Sequence, residues 1–150
     1  MSKQGMPGGQ LARQHRRCTS ALADFRLLIV AEDAILVRAD AVREMDQLVR
    51  RVLDELLAAE VTVLDALAGT GRRRPAARLL GGRFDRLRRA GIQVGAAVRV
   101  GDVSTLRRSM TRFDALTRAA CTVQLDVYGS ATVGQRSRAD DFPQMSDGIG

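Results

Sequence analysis

A chain of 150 residues with 45% apolar and 27% charged residues sits near the globular average, which excludes wholesale disorder and sets a single domain as the expectation. Aromatic residues are 3%, with no Trp and one Tyr, leaving little for a pocket built on ring stacking. The 24 Lys+Arg against 17 Asp+Glu give a net charge of +7, a balance that attracts polyanions but carries no information about fold.

The first residues, 1–17, hold Gly5, Pro7, Gly8 and Gly9 with Lys3, Arg13, Arg16 and Arg17, and read as a basic flexible tail. They contain no apolar core of the kind a secretory signal needs. With two widely spaced cysteines, Cys18 and Cys121, the expected compartment is the reducing cytoplasm. If the folded part doubles back on itself, those cysteines come together and a conditional disulfide is geometrically open to them; the alternative is two ordinary thiols.

The folded part is expected over 18–128, as one mainly α-helical domain. Between Ser20 and Ala68 there is neither Gly nor Pro. Leu22, Phe25, Ile29 and Leu36 fall on one helical face, with Glu32 where the stripe should continue. Further on, Met45, Val49, Val52, Leu56, Ala59 and Val63 recur in steps of four and three, the seam of a helix packed lengthwise against another. Leu48, Leu53, Leu57, Leu64 and Leu67 widen that stripe, which favours a hairpin or small bundle over a two-stranded coiled coil. The phase slips between Leu36 and Met45, so one long helix and two collinear helices broken near 31–40 both remain open. Gly69 and Gly71 stop this element.

Arg72, Arg73, Arg74 and Pro75 form a basic connector into a shorter helix with Leu79, Leu80, Phe84 and Leu87 on its apolar side. Gly81 and Gly82 weaken it, and Gly91 is expected to close it. The next stretch, Ile92 to Val100, alternates apolar and polar or small residues with a period of two, the pattern of a strand. Asp102 or Ser104 caps a further helix bearing Leu106, Met110, Phe113, Leu116 and Ala120. Val123, Leu125 and Val127 alternate again. An α+β alternative, strand–helix–strand over 92–128, therefore competes with an all-helical ending; helix is favoured because two short strands make a marginal sheet. Residues 129–150, rich in Gly, Ser and Asp, read as a flexible C-terminal tail.

Charge is segregated along the chain. Ser20 to Ala68 holds ten acids and five arginines, net −5, whereas Arg72 to Arg118 holds thirteen arginines and three acids, net +10. Folding one half onto the other would pair the rims across an apolar seam and set orientation, although each surface pair contributes only about 0–1 kcal/mol. Such pairing would consume part of the arginine excess.

Three functional readings follow. The leading one is a non-enzymatic interaction or self-association module whose contact face is Met45, Val49, Val52, Leu56 and Val63, its partner a second copy or another helical protein. The second is sequence-nonspecific nucleic-acid binding by Arg72, Arg73, Arg74, Arg78, Arg86 and Arg89. The last three share one side of a helix, as a phosphate backbone requires. The third, a small enzyme, has no motif behind it. The single histidine, His15, sits in the basic tail. No metal site, cofactor or catalytic residue is therefore expected, and no membrane partner, since the most apolar run, Leu27 to Val37, is short and split by Glu32 and Asp33.

Overall fold

The computed structural model describes residues 7–31 and 39–149, with side chains described over 9–26 and 42–131. It is an all-helical bundle of α1 (Pro7–Ala31), α2 (Ala39–Ala66), α3 (Arg73–Val100) and α4 (Val103–Ile149), with no strand among the described residues. The mainly α-helical expectation holds.

The glycine-free first half is a hairpin of two helices. Gln14 lies against Thr62, Arg17 against Glu55 and Cys18 against the carbonyl of Val52, so position falls along α1 as it rises along α2 and the two run antiparallel. Neither one continuous helix nor two collinear ones is formed. An apolar stripe on each segment can be covered by the other only if the chain reverses. Glu32, Asp33 and Leu36 lie outside the described residues.

α1 also begins earlier than the sequence suggests. Pro7 fits a first helical turn, where its missing N–H costs nothing, and Leu11, Gln14 and His15 are buried. The stretch from 7 to 17 is therefore packed helix, because Leu11, His15, Cys18, Leu22 and Phe25 continue a four-three spacing through the polar segment. At the other end, α4 continues past 128 to Ile149.

The two remaining turns are built on left-handed glycines. Gly69 (φ 78°) follows α2, and the Thr70 hydroxyl donates to the Leu67 carbonyl at 2.8 Å. Gly101 (φ 80°) caps α3, its N–H donating to the carbonyls of Ala97 and Val98. Glycine is the residue that reaches this conformation without a steric cost. Asp102, rather than Ser104, then caps α4: its carboxylate accepts from the Ser104 N–H at 3.1 Å and from the Thr105 hydroxyl. The Thr105 hydrogen bond is the main reason the Asp102 carboxyl lies below its ordinary range.

Two readings of α3 are corrected. Gly91 does not end it, and Ile92–Val100 is helix. Gly91, Val94 and Val98 are buried while Ile92 and Val100 are 65% and 79% exposed, a helical division that the apparent alternation concealed. Likewise Val123 and Val127 pack beside Leu80 from within α4. The strand–helix–strand alternative is not adopted. Gly91 serves a different purpose: a β-carbon there would lie 2.9 Å from Cγ1 of Val49 and 3.4 Å from Cε1 of Phe113. Three helices converge at that point, and only a hydrogen fits between them.

α2 is the hub, touching α1, α3 and α4, while α1 meets α4 along a narrower seam. The main core joins Leu22 and Phe25 of α1, Met45 to Leu56 of α2, Leu87 to Val98 of α3, and Leu106 to Phe113 of α4. Toward the α2–α3 turn, smaller clusters around Leu11, Val63 and Leu80, and around Leu67, Ala76 and Ala131, complete it.

Candidate functional site

The apolar face Met45, Val49, Val52, Leu56 and Val63 is covered inside the chain itself. None of the five is more than 8% exposed, and four of them belong to the main core with α1, α3 and α4. What α2 leaves to solvent is different: Leu57 and Val61, one turn apart and roughly half exposed.

The arginine set lies on the other side of this packing. Arg72, Arg73, Arg74, Arg78, Arg86 and Arg89 are all exposed. They begin at the first turn of α3, which has no acidic residue and no side-chain cap. With α3 spaced at 3.6 residues per turn, burial of Leu80, Leu87, Val94 and Val98 turns Arg74, Arg78, Arg86 and Arg89 outward. From Arg74 to Arg99 the helix covers about 37 Å.

Acidic partners are scarce along it. Of the eight arginines in α3, one, Arg88, makes an ion pair among the described residues, with Asp85 of its own helix at 3.5 Å. Arg72 donates to the Ser130 carbonyl of α4 at 3.3 Å, and Arg83 keeps a buried Nε without a partner. The acids of α2 pair elsewhere or not at all with α3: Glu55 faces Arg17 of α1 at 3.7 Å, and Asp46 faces Arg50 of α2 itself at 3.4 Å. Asp46 and Glu60 also line clefts beside Arg99 and Arg83, with no described ion pair to them. No described ion pair joins α2 to α3. The charge segregation read from the sequence therefore does not resolve into pairing between those helices.

The seam between α1 and α4 is polar and satisfied. His15 Nε2 and Gln124 Oε1 are 2.6 Å apart, and Gln124 Nε2 donates to the Leu56 carbonyl at 3.1 Å. The second bond fixes the amide, so Oε1 must accept and His15 Nε2 must carry the proton. Further along, the buried Asp114 accepts from Arg26 of α1 and from Arg118 of α4, the latter at 2.8 Å. Above the Asp114 pair, Phe25 and Phe113 pack with ring centroids 6.2 Å apart. Residue numbers across the seam keep a nearly constant sum, 138 to 140, which brings Cys18 opposite Cys121, two free thiols that share the main core.

Reading the sequence for apolar spacing missed this seam, because core positions on it are filled by His15 and Gln124. The available signal was the four-three spacing carried through them from Leu11 to Phe25. His15 is thus an inward-facing helix residue rather than part of a tail.

Among the described residues, no three His, Cys, Asp or Glu side chains gather to hold a metal, and no helix is long and apolar enough to cross a membrane. A cleft between α2 and α3, lined by Val42, Asp46, Gly95 and Arg99, and another lined by Glu60, Leu80, Arg83 and Gln124, are each about the size of a water molecule. Glu60, at the second cleft, has its carboxyl raised above its ordinary range by burial and then by the nearby charge of Asp85.

The chain matches no known family model, no curated protein and no solved structure.

Proposed function

We propose that this protein is a non-enzymatic helical bundle that binds the phosphate backbone of nucleic acid, without sequence preference, through the outer side of α3. The observation that carries the reading is the arginine side itself: exposed arginines spread along α3, with one ion pair for its eight among the described residues. A solvated face that served folding alone would be expected to mix signs at helical spacing.

The start of α3 supports the same reading. Arg72, Arg73 and Arg74 crowd the end where the helix dipole is positive, an arrangement that costs a few tenths to about 1 kcal/mol per charge. Phosphate would relieve it, and guanidinium groups can each take two phosphate oxygens. The length of the stripe is close to one turn of duplex, about 34 Å.

Readout of bases has little support. Phe25 and Phe113 are buried against each other, and Phe84 and Tyr128 are half-buried, so α3 offers no aromatic platform for unstacked bases. Backbone contact alone is then the mechanism, and its affinity falls steeply with salt.

Self-association is the second reading. With Met45, Val49, Val52, Leu56 and Val63 enclosed, what α2 has left for it is Leu57 and Val61.

The test is a titration of a short fluorescent duplex at low salt, with light scattering on the free protein. The reading expects binding by the wild type, and its loss in Arg73→Ala/Arg74→Ala/Arg78→Ala/Arg89→Ala at unchanged helicity. Equal affinity for both proteins would reject it. A doubled mass without nucleic acid, abolished by Val61→Asp, would favour self-association.

A further inference from the structure

We propose that Cys18 and Cys121 form a thiol-oxidation site for small hydroperoxides, closing an intramolecular disulfide that ties α1 to α4. Three observations converge on this pair. The seam places them opposite each other, one turn from the 2.6 Å His15–Gln124 contact on one side, with Phe25–Phe113 and Arg26–Asp114 continuing the register on the other. Both thiols are free, and both belong to the main core, Cys18 inside it and Cys121 packed against it. Their exposure differs: Cys18 is fully buried, whereas Cys121 is half-buried at the edge of the core.

That difference assigns the roles. The Cys121 thiol lies below its ordinary range, held there by the neighbouring Cys18 thiol and by the positive charge of Arg118, one turn before it. The Cys18 thiol is pushed up by Cys121 and by burial. Cys121 is therefore the attacking thiolate and Cys18 the resolving thiol. Partial burial admits a small hydroperoxide and keeps out a folded oxidant.

In the first step the Cys121 sulfur attacks one peroxide oxygen. An S–O bond forms, the O–O bond breaks and the alcohol or water leaves, giving the Cys121 sulfenic acid. In the second step the Cys18 sulfur attacks the Cys121 sulfur. The S–S bond forms, the S–O bond breaks, and the departing hydroxide takes the Cys18 proton as water. The peroxide gains the two electrons that the two thiols lose.

The consequence is structural. α1 is held chiefly by α2, and its contact with α4 is narrow, so the bridge would clamp the first helix to the last. It closes a loop of about 100 residues, the class of crosslink with a large restraint on the unfolded chain.

The test treats the purified full chain with hydrogen peroxide, followed by intact mass, thiol titration, non-reducing electrophoresis and thermal melting. The proposal expects a monomer lighter by two hydrogen atoms, with both thiols lost and a melting temperature several degrees higher, all reversed by dithiothreitol. In Cys18→Ala, a sulfenic acid on Cys121 should persist and be trapped by dimedone, while Cys121→Ser should leave Cys18 reduced. Cys121→Ser changes a half-buried position, so it remains informative if Cys18→Ala does not fold. A Cys121 that over-oxidises with Cys18 still free, a disulfide between chains, or two thiols unchanged by peroxide would each overturn it.

Discussion

The α1–α4 seam and the outer side of α3 are both polar, yet they are built in opposite ways. Along the seam, Asp114 takes both Arg26 and Arg118, and His15, Gln124 and the Leu56 carbonyl form a closed chain. Along α3, arginine follows arginine with a single ion pair, to Asp85, among the described residues. Buried polar groups must be satisfied or they cost about 1–3 kcal/mol each, so the seam's residues are committed to the fold. Exposed arginines carry no such requirement. Their accumulation on one helix is therefore where a function separate from folding has room to act.

Substitutions at the two places should separate stability from binding, and the largest effect belongs to the packing that holds both. Gly91→Val, which thrusts a side chain onto Val49 and Phe113, should cost about 2–3 kcal/mol by chemical denaturation. Its matched control is Gly82→Ala on the same helix, where nothing lies within 4 Å of a new β-carbon. That change should stabilise by up to about 1 kcal/mol.

Next comes the seam. Gln124→Leu leaves the buried His15 Nε2 without its partner and should destabilise by about 2 kcal/mol while duplex affinity of the folded protein is retained. The reverse pattern is expected of Arg78→Ala with Arg86→Ala and Arg89→Ala: unfolding free energy within about 0.5 kcal/mol of wild type, affinity reduced. A variant set in which stability and binding always fall together would dissolve the distinction.

The smallest effect is one of pH. In the folded state Glu60 is raised above its ordinary value of 4.5, so the fold disfavours its ionised form. The stability it contributes is present below 4.5 and is lost as pH rises through the folded value. Glu60→Gln should accordingly melt higher than wild type at neutral pH, with the gap closing as pH falls below 4.5; a gap independent of pH would contradict the assignment.

Much of this architecture is legible in the residues. The steps of four and three from Met45 to Val63 describe the buried stripe of α2, and Asp102, one of the two caps offered for the last helix, is the residue that caps α4. Gly91 misleads because glycine in a sequence signals a stop as readily as a close approach, and only the convergence of Val49 and Phe113 decides between them. Ile92 to Val100 misleads because a short run of small and branched residues satisfies a period of two and a helical face at once. The polar positions of α1 escape for a related reason: hydrophobic spacing cannot register Gln14 and His15 as core. Which arginines find partners is a tertiary fact, and charge totals for each half of the chain overstate how far they cancel.

The central claim is that exposed arginines on α3 engage phosphates, and the salt dependence of duplex affinity tests it most directly. The account predicts a linear fall of log K with log salt, and a slope smaller by about 2–3 in Arg78→Ala/Arg86→Ala/Arg89→Ala, near 0.9 per phosphate contact removed. An affinity indifferent to salt, or a slope that the three substitutions leave unchanged, would contradict it.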